Sequence, residues 1–87
     1  MKVKKDFILR KISDSYVVVP VGEAVVDFSG LVNLNESGAL LFENLQKGAD
    51  EDKLVNALLE EYDVDEATAR ADVKRFISKV KDANILE

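Results

Sequence analysis

The hydrophobic pattern of this chain changes period once, at Asn35. Before that point, apolar residues come in short, loosely alternating runs rich in β-branched and aromatic side chains, as in Phe7-Ile8-Leu9-Arg10-Lys11-Ile12 and Ser15-Tyr16-Val17-Val18-Val19. After it they recur at spacings of three and four. A strand-like part followed by a helix-like part predicts an α+β domain with helices gathered against a small sheet. With 87 residues there is material for one core. The expectation is therefore a single domain over residues 1–87.

The first two runs flank Ser13-Asp14, a turn signal, and read as a β-hairpin. Pro20 cannot donate to a ladder, so the second strand ends near it or lies at an edge there. Ala24 to Phe28 is apolar enough to extend a strand, but Ser29-Gly30 interrupts it. Leu31-Val32-Asn33-Leu34 reads as a short third strand.

Three helices follow. Asn35 is a favoured N-cap, with Leu34 as the staple residue before it and Glu36 in the first turn. Leu41, Phe42 and Leu45 fall on one face, and Lys47-Gly48 is a stop. Asp50 caps a second helix with Leu54, Val55, Leu58, Leu59 and Tyr62 as its stripe. Asp65 caps a third, along which Ala69, Val73, Phe76, Ile77 and Val80 share a face. Asn84 suits a left-handed stop, and Ile85-Leu86 is a short tail expected to fold back on the core. A three-stranded antiparallel sheet followed by three helices is the parts list of a winged helix-turn-helix.

Composition narrows the chemistry. The chain has no Cys and no His, which removes thiol nucleophiles, imidazole bases and Cys/His zinc sites. The four glycines are scattered and form no phosphate loop. The acidic run from Glu60 to Glu66 lacks the ligand ladder of a calcium loop and is better explained by helix ends. No catalytic group, cofactor or metal is expected, and the function left is binding. No apolar run is long enough for a membrane span and no secretion signal is recognisable, so a cytoplasmic protein is expected. With 12 basic and 17 acidic residues, a net charge of −5 disfavours nucleic acid.

Two surfaces present themselves. The third strand, Leu31 to Leu34, leaves an edge to which a peptide strand can add. On this reading a proline at Val32 removes an edge donor. The third helix, at about 100° per residue, carries Arg70, Lys74 and Lys81 on one flank and Asp72, Arg75 and Lys79 on the other, with Phe76 toward that second flank and partly open. A basic third helix also fits a winged-helix DNA-binding regulator, which stands as an alternative together with a domain that binds only another protein. It lacks the Asn, Gln or Arg cluster at a helix N-terminus that base reading needs. An unpaired edge allows a weak homodimer as well as a monomer.

Several of these stretches together resemble the PqqD family, the small protein of pyrroloquinoline quinone biosynthesis and prototype of the leader-peptide recognition element. They are Leu34-Asn35-Glu36-Ser37-Gly38-Ala39 with Leu41-Phe42-Glu43-Asn44-Leu45, then Leu58-Leu59-Glu60-Glu61-Tyr62-Asp63-Val64, and Asp72-Val73 with Phe76-Ile77, Val80 and Ile85-Leu86. Trp is frequent in the family at the place of Phe42. The resemblance implies a non-catalytic adaptor. It would capture the leader of a ribosomally made precursor peptide by strand addition and present it to a modifying enzyme, commonly a radical S-adenosylmethionine enzyme. It also implies a groove with Leu31, Val32, Asn33 and Leu34 on the strand side and Asp72, Arg75, Phe76 and Lys79 on the helix side. Which precursor is read does not follow from it.

Overall fold

The computed structural model describes residues 1–22 and 32–87. Within these, strands β1 (Phe7–Ile12), β2 (Ser15–Pro20) and β3 (Val32–Leu34) precede helices α1 (Glu36–Lys47), α2 (Glu51–Glu61) and α3 (Glu66–Asp82). The sheet is antiparallel in the order β1-β2-β3, so β1 and β3 are its edges. This is the expected α+β, winged-helix-like architecture. The strand assigned to Leu31–Leu34 begins at Val32; Leu31 and the apolar stretch Ala24–Phe28 lie outside the described residues.

The β1–β2 connection is a two-residue hairpin, with Ile12 opposite Ser15. Ser13 takes a positive φ of 56°, as the first central residue of such tight turns must. From the turn the register runs back through Arg10↔Val17 and Leu9↔Val18 to Phe7↔Pro20. Alternation puts Phe7, Leu9, Tyr16 and Val18 on the face that meets the helices, joined there by Val32 and Leu34 of β3.

Each helix starts where a side chain satisfies an orphan amide. Asn35 Oδ1 accepts from Gly38 N–H at 2.8 Å, Asp50 Oδ1 from Lys53 N–H at 2.8 Å, and Asp65 Oδ1 from Thr68 N–H at 2.7 Å. Gly48 ends α1 at φ 95°, and Asn84 follows α3 at φ 60°, the left-handed geometry its side chain tolerates. The helices then bury one stripe each. Phe42, Leu45, Leu54, Val73, Val80 and Ile85 are fully enclosed, with Val18 reaching them from the sheet.

The tail folds back as expected. Val3 and Leu86 form an antiparallel bridge, and Lys4 N–H donates to Ile85 C=O at 2.8 Å. Val3 N–H donates to Leu45 C=O at 3.0 Å, so residues 3 and 4 are tied both to the end of α1 and to the C-terminal tail. Arg70 joins α3 to the start of α2, donating to Glu51 at 2.6 Å and Asp52 at 3.1 Å. These bonds, that to Glu51 first, hold the Arg70 guanidinium pKa above its ordinary value. The helical wheel makes Arg70 part of a basic flank; in the fold it is a strut between helices instead.

Candidate functional site

β3 is only three residues long and β2 pairs with one side of it. Which backbone groups remain open on the other side follows from the hairpin. Ile12 and Ser15 close a two-residue turn, so they exchange hydrogen bonds, and so do alternate pairs further down, Arg10↔Val17 and Ile8↔Val19. Val21 N–H donating to Asp6 C=O at 2.7 Å extends the same alternation. The backbone groups of Val17 and Val19 therefore point at β1, and those of Tyr16 and Val18 point at β3. Their register partners Leu34 and Val32 must then point back at β2. Asn33, between them, directs its N–H and C=O away from the sheet.

This corrects the expectation for Val32. Its N–H belongs to the β2–β3 ladder, so a proline there breaks the sheet rather than the edge. Of the described residues of β3, Asn33 alone offers backbone groups to an added strand. No strand among the described residues takes them.

Beside this edge lies a groove of about 360 Å³. Leu34, Leu41, Leu58 and Phe76 form its floor, and Asn35, Ser37, Asp72, Arg75 and Lys79 its rim. The site residues expected from the sequence are brought together here in part. Leu34, Asp72, Arg75, Phe76 and Lys79 all line it, and they come from β3 and from the flank of α3 opposite Arg70 and Lys74. Val32 lies on β3, half-buried against the core, and outside the groove lining. Phe76, expected to be partly open, is only 7% exposed, because it packs into the main core even as it lines the groove.

Gly38 and Lys79 shape the site in ways the sequence pattern alone does not assign. A Cβ on Gly38 would stand 3.2 Å from Asn35 Oδ1 and 3.2 Å from Leu34 Cβ, so the missing side chain lets the start of α1 close against the end of β3. On the rim, Asp72 pairs with Arg75 three residues on. Lys79 Nζ instead donates to the carbonyl oxygen of Asn33 at 2.7 Å. Sequence spacing places Lys79 on the flank that lines the groove; only the fold reveals that its acceptor is the Asn33 carbonyl.

Among the described residues there is no cluster of His, Cys, Asp or Glu suited to a metal ion, and no helix long and apolar enough to cross a membrane. Another hollow, of about 150 Å³, lies between the start of β2, the first turns of α1 and the end of α2, lined by Tyr16, Glu36, Glu43, Glu61 and Tyr62 among others. Burial first, and then the charge of Glu36, raise the pKa of the Tyr62 hydroxyl above its ordinary value.

A groove of apolar floor and charged rim, beside a strand edge that no other described strand pairs with, is the layout of a peptide-recognition domain. The family model described as coenzyme PQQ synthesis protein D (PqqD) matches residues 15–86, and the chain belongs to this family. Among solved structures, the chain is similar to TbiB1 in complex with the TbiA(beta) leader peptide. That match has a TM-score of 0.78 and 23% identity and covers 100% of this chain and 95% of the other. It is also similar to a lasso peptide synthetase B1 complexed with its leader peptide, with a TM-score of 0.73 and 18% identity over 97% of this chain and 93% of that one. At these identities the likeness is one of fold. A comparison with curated proteins found no match.

Proposed function

We propose that this chain is a non-catalytic adaptor, acting as one recognition module over residues 1–87. It captures the leader of a ribosomally synthesised precursor peptide and presents it to a modifying enzyme in the cytoplasm. The leader adds as a strand to the outer edge of β3, exchanging backbone hydrogen bonds with Asn33. Its inward side chains lie over Leu34 and Phe76, between the rim formed by Asp72, Arg75 and Lys79 and the start of α1. Leu31 and Val32 belong to the strand side of the site, Val32 by holding β3 to β2.

The observation that carries this reading is the backbone of Asn33, turned out from the sheet beside a groove in a chain of the PqqD family. The two solved structures it resembles both hold leader peptides, which supports the same role here. A radical S-adenosylmethionine enzyme is the proposed partner, as the family resemblance implies. One neighbour being a lasso peptide synthetase B1 favours a second reading, in which the partner is another class of peptide-modifying enzyme.

An amide NMR titration tests the proposal, using the leader peptides encoded beside this protein's gene as titrants. Shifts centred on residues 33–38 and on Asp72, Arg75, Phe76 and Lys79 are expected with one of them. Shifts confined to the far face of the sheet, or none with any leader, would remove the adaptor reading.

A further inference from the structure

The acceptor that an added strand needs is already occupied. Lys79 Nζ sits 2.7 Å from the Asn33 carbonyl oxygen, in the place where a peptide N–H would have to come. Lysines that blunt open edges are a known device against unwanted pairing. Here the blunting group is also the cation of the rim that lacks a carboxylate. Arg75 has Asp72, and Arg70 has Glu51 and Asp52, whereas among the described residues Lys79 has the Asn33 carbonyl and no acid. Asp72 is two helical turns away from Lys79, about 10 Å along the axis, and is engaged by Arg75.

A bound strand therefore displaces an ammonium and leaves it beside the peptide with no acceptor among the described residues. A carboxylate on the peptide restores one. The register says where that carboxylate must be. The peptide residue facing Asn33 points its side chain away from the helices, as Asn33 does, and its two neighbours point toward α3. One neighbour lies over Leu34 and the Phe76 edge. The other, about 6.7 Å along the strand, lies on the Val32 side. Lys79 is three residues beyond Phe76, about 4.5 Å along α3, and its flexible stem covers the difference.

We propose that Lys79 is a specificity-determining residue. It caps the Asn33 carbonyl in the free protein, and when a peptide N–H takes that carbonyl it pairs with an Asp or Glu two positions from the apolar residue seated on Leu34 and Phe76. The proposal rests on the strand-addition reading above. It adds an acidic side chain at a fixed offset to what the leader must carry. The cost of moving the ammonium then falls on every peptide, and acid-bearing peptides alone recover it.

The experiment is a selection from a displayed library of random twelve-residue peptides against the full chain and its Lys79→Met and Lys79→Glu variants. Lys79 is exposed, so both variants keep the fold, and their amide spectra verify it. With the native chain, Asp and Glu are expected to be enriched severalfold two positions from an apolar residue. Lys79→Met should abolish that enrichment, and Lys79→Glu should replace it with Lys and Arg. For one selected acidic peptide, changing its acid to the amide should weaken binding to the native chain about tenfold and leave binding to Lys79→Met unchanged. Each selection is repeated on Asn33→Pro. Peptides that lose binding to Asn33→Pro but show the same acid frequency on all three Lys79 forms overturn the assignment to Lys79 alone. Selected peptides that bind Asn33→Pro undiminished, or no selected peptides at all, overturn strand addition itself.

Discussion

The ammonium of Lys79 on α3 and the main-chain carbonyl of Asn33 on β3 are joined by a 2.7 Å hydrogen bond across 46 residues of sequence. It ties the last helix to the open edge of the sheet, above a floor where Phe76 and Leu34 already meet the core. The edge is thus small, oriented and partly guarded. Among the described residues, Asn33 supplies its outward backbone groups and Lys79 caps the carbonyl.

The first prediction separates the two faces of β3. Asn33→Pro removes an N–H that points away from the sheet, and proline is tolerated at such positions. The fold should survive with a change in stability under about 1 kcal/mol, while leader binding falls at least tenfold, about 1.4 kcal/mol. Val32→Pro removes a ladder donor to β2 and leaves its acceptor unpaired, which should destabilise the fold by about 1–3 kcal/mol. Chemical denaturation of both variants, alongside leader titration of Asn33→Pro, checks the pair. Equal destabilisation by the two prolines would mean that the Asn33 N–H, like that of Val32, donates within the sheet.

The second concerns Phe42, where the family often carries Trp. Phe42 is wholly enclosed at 0% exposure, within a cluster that includes Leu45, Leu54 and Val73. Phe42→Ala should cost about 3–5 kcal/mol through lost burial and the cavity left behind. Phe42→Trp adds volume to a filled space and should cost about 1–3 kcal/mol. Urea midpoints give both values, and a Trp variant more stable than the native chain would contradict the packing.

Much of this architecture is legible in the amino-acid sequence, and the reason is locality. The caps at Asn35, Asp50 and Asp65 act over three residues, and Asn84 needs only its own backbone geometry. The hairpin is written in Ser13-Asp14 and the runs on either side. The site is less legible because it depends on parity and on contacts between distant elements. No pattern in Val32-Asn33-Leu34 says which residue faces outward; that is inherited from the turn at Ser13-Asp14 through two strand pairings. A helical wheel separates the flank bearing Arg70 from that bearing Lys79, but it does not say that Arg70 reaches Glu51 and Asp52 while Lys79 reaches a carbonyl. It also places Phe76 near an open flank, whereas the approach of α3 to Leu34 and Leu41 closes over it.

The third prediction is a pH dependence carried by a cap. Asp65 accepts from the Thr68 N–H, and this bond first, then the Thr68 side chain, lowers its carboxyl pKa below the ordinary value of 3.8. A carboxylate favoured in the folded state contributes stability that is present above that ordinary value and is lost as pH falls through the folded-state value. Asn caps a helix about as well but does not titrate. Thermal midpoints measured from pH 6 down to pH 2 should therefore fall less steeply for Asp65→Asn than for the native chain below about pH 4. Parallel curves would place the acid sensitivity elsewhere.

The last prediction uses the tight approach of α1 to β3 at Gly38. Gly38→Ala gains helix propensity of about 1 kcal/mol. Against this, the new Cβ would meet Asn35 Oδ1 and Leu34 Cβ at 3.2 Å and Leu34 Cδ2 at 3.3 Å, so the neighbours must give by a few tenths of an ångström. Asn35 is the cap of α1 and Leu34 is part of the groove floor, so neither can move without a consequence. The two stability effects nearly offset, and the unfolding free energy should change by less than about 1 kcal/mol. The groove has no such offset. Leu34 is pushed toward the space a peptide side chain would fill, so leader affinity should fall severalfold while stability holds. Leu34 methyl shifts in the free variant, with a leader titration beside them, read both effects. Unmoved Leu34 methyls and native affinity would show that the start of α1 yields instead.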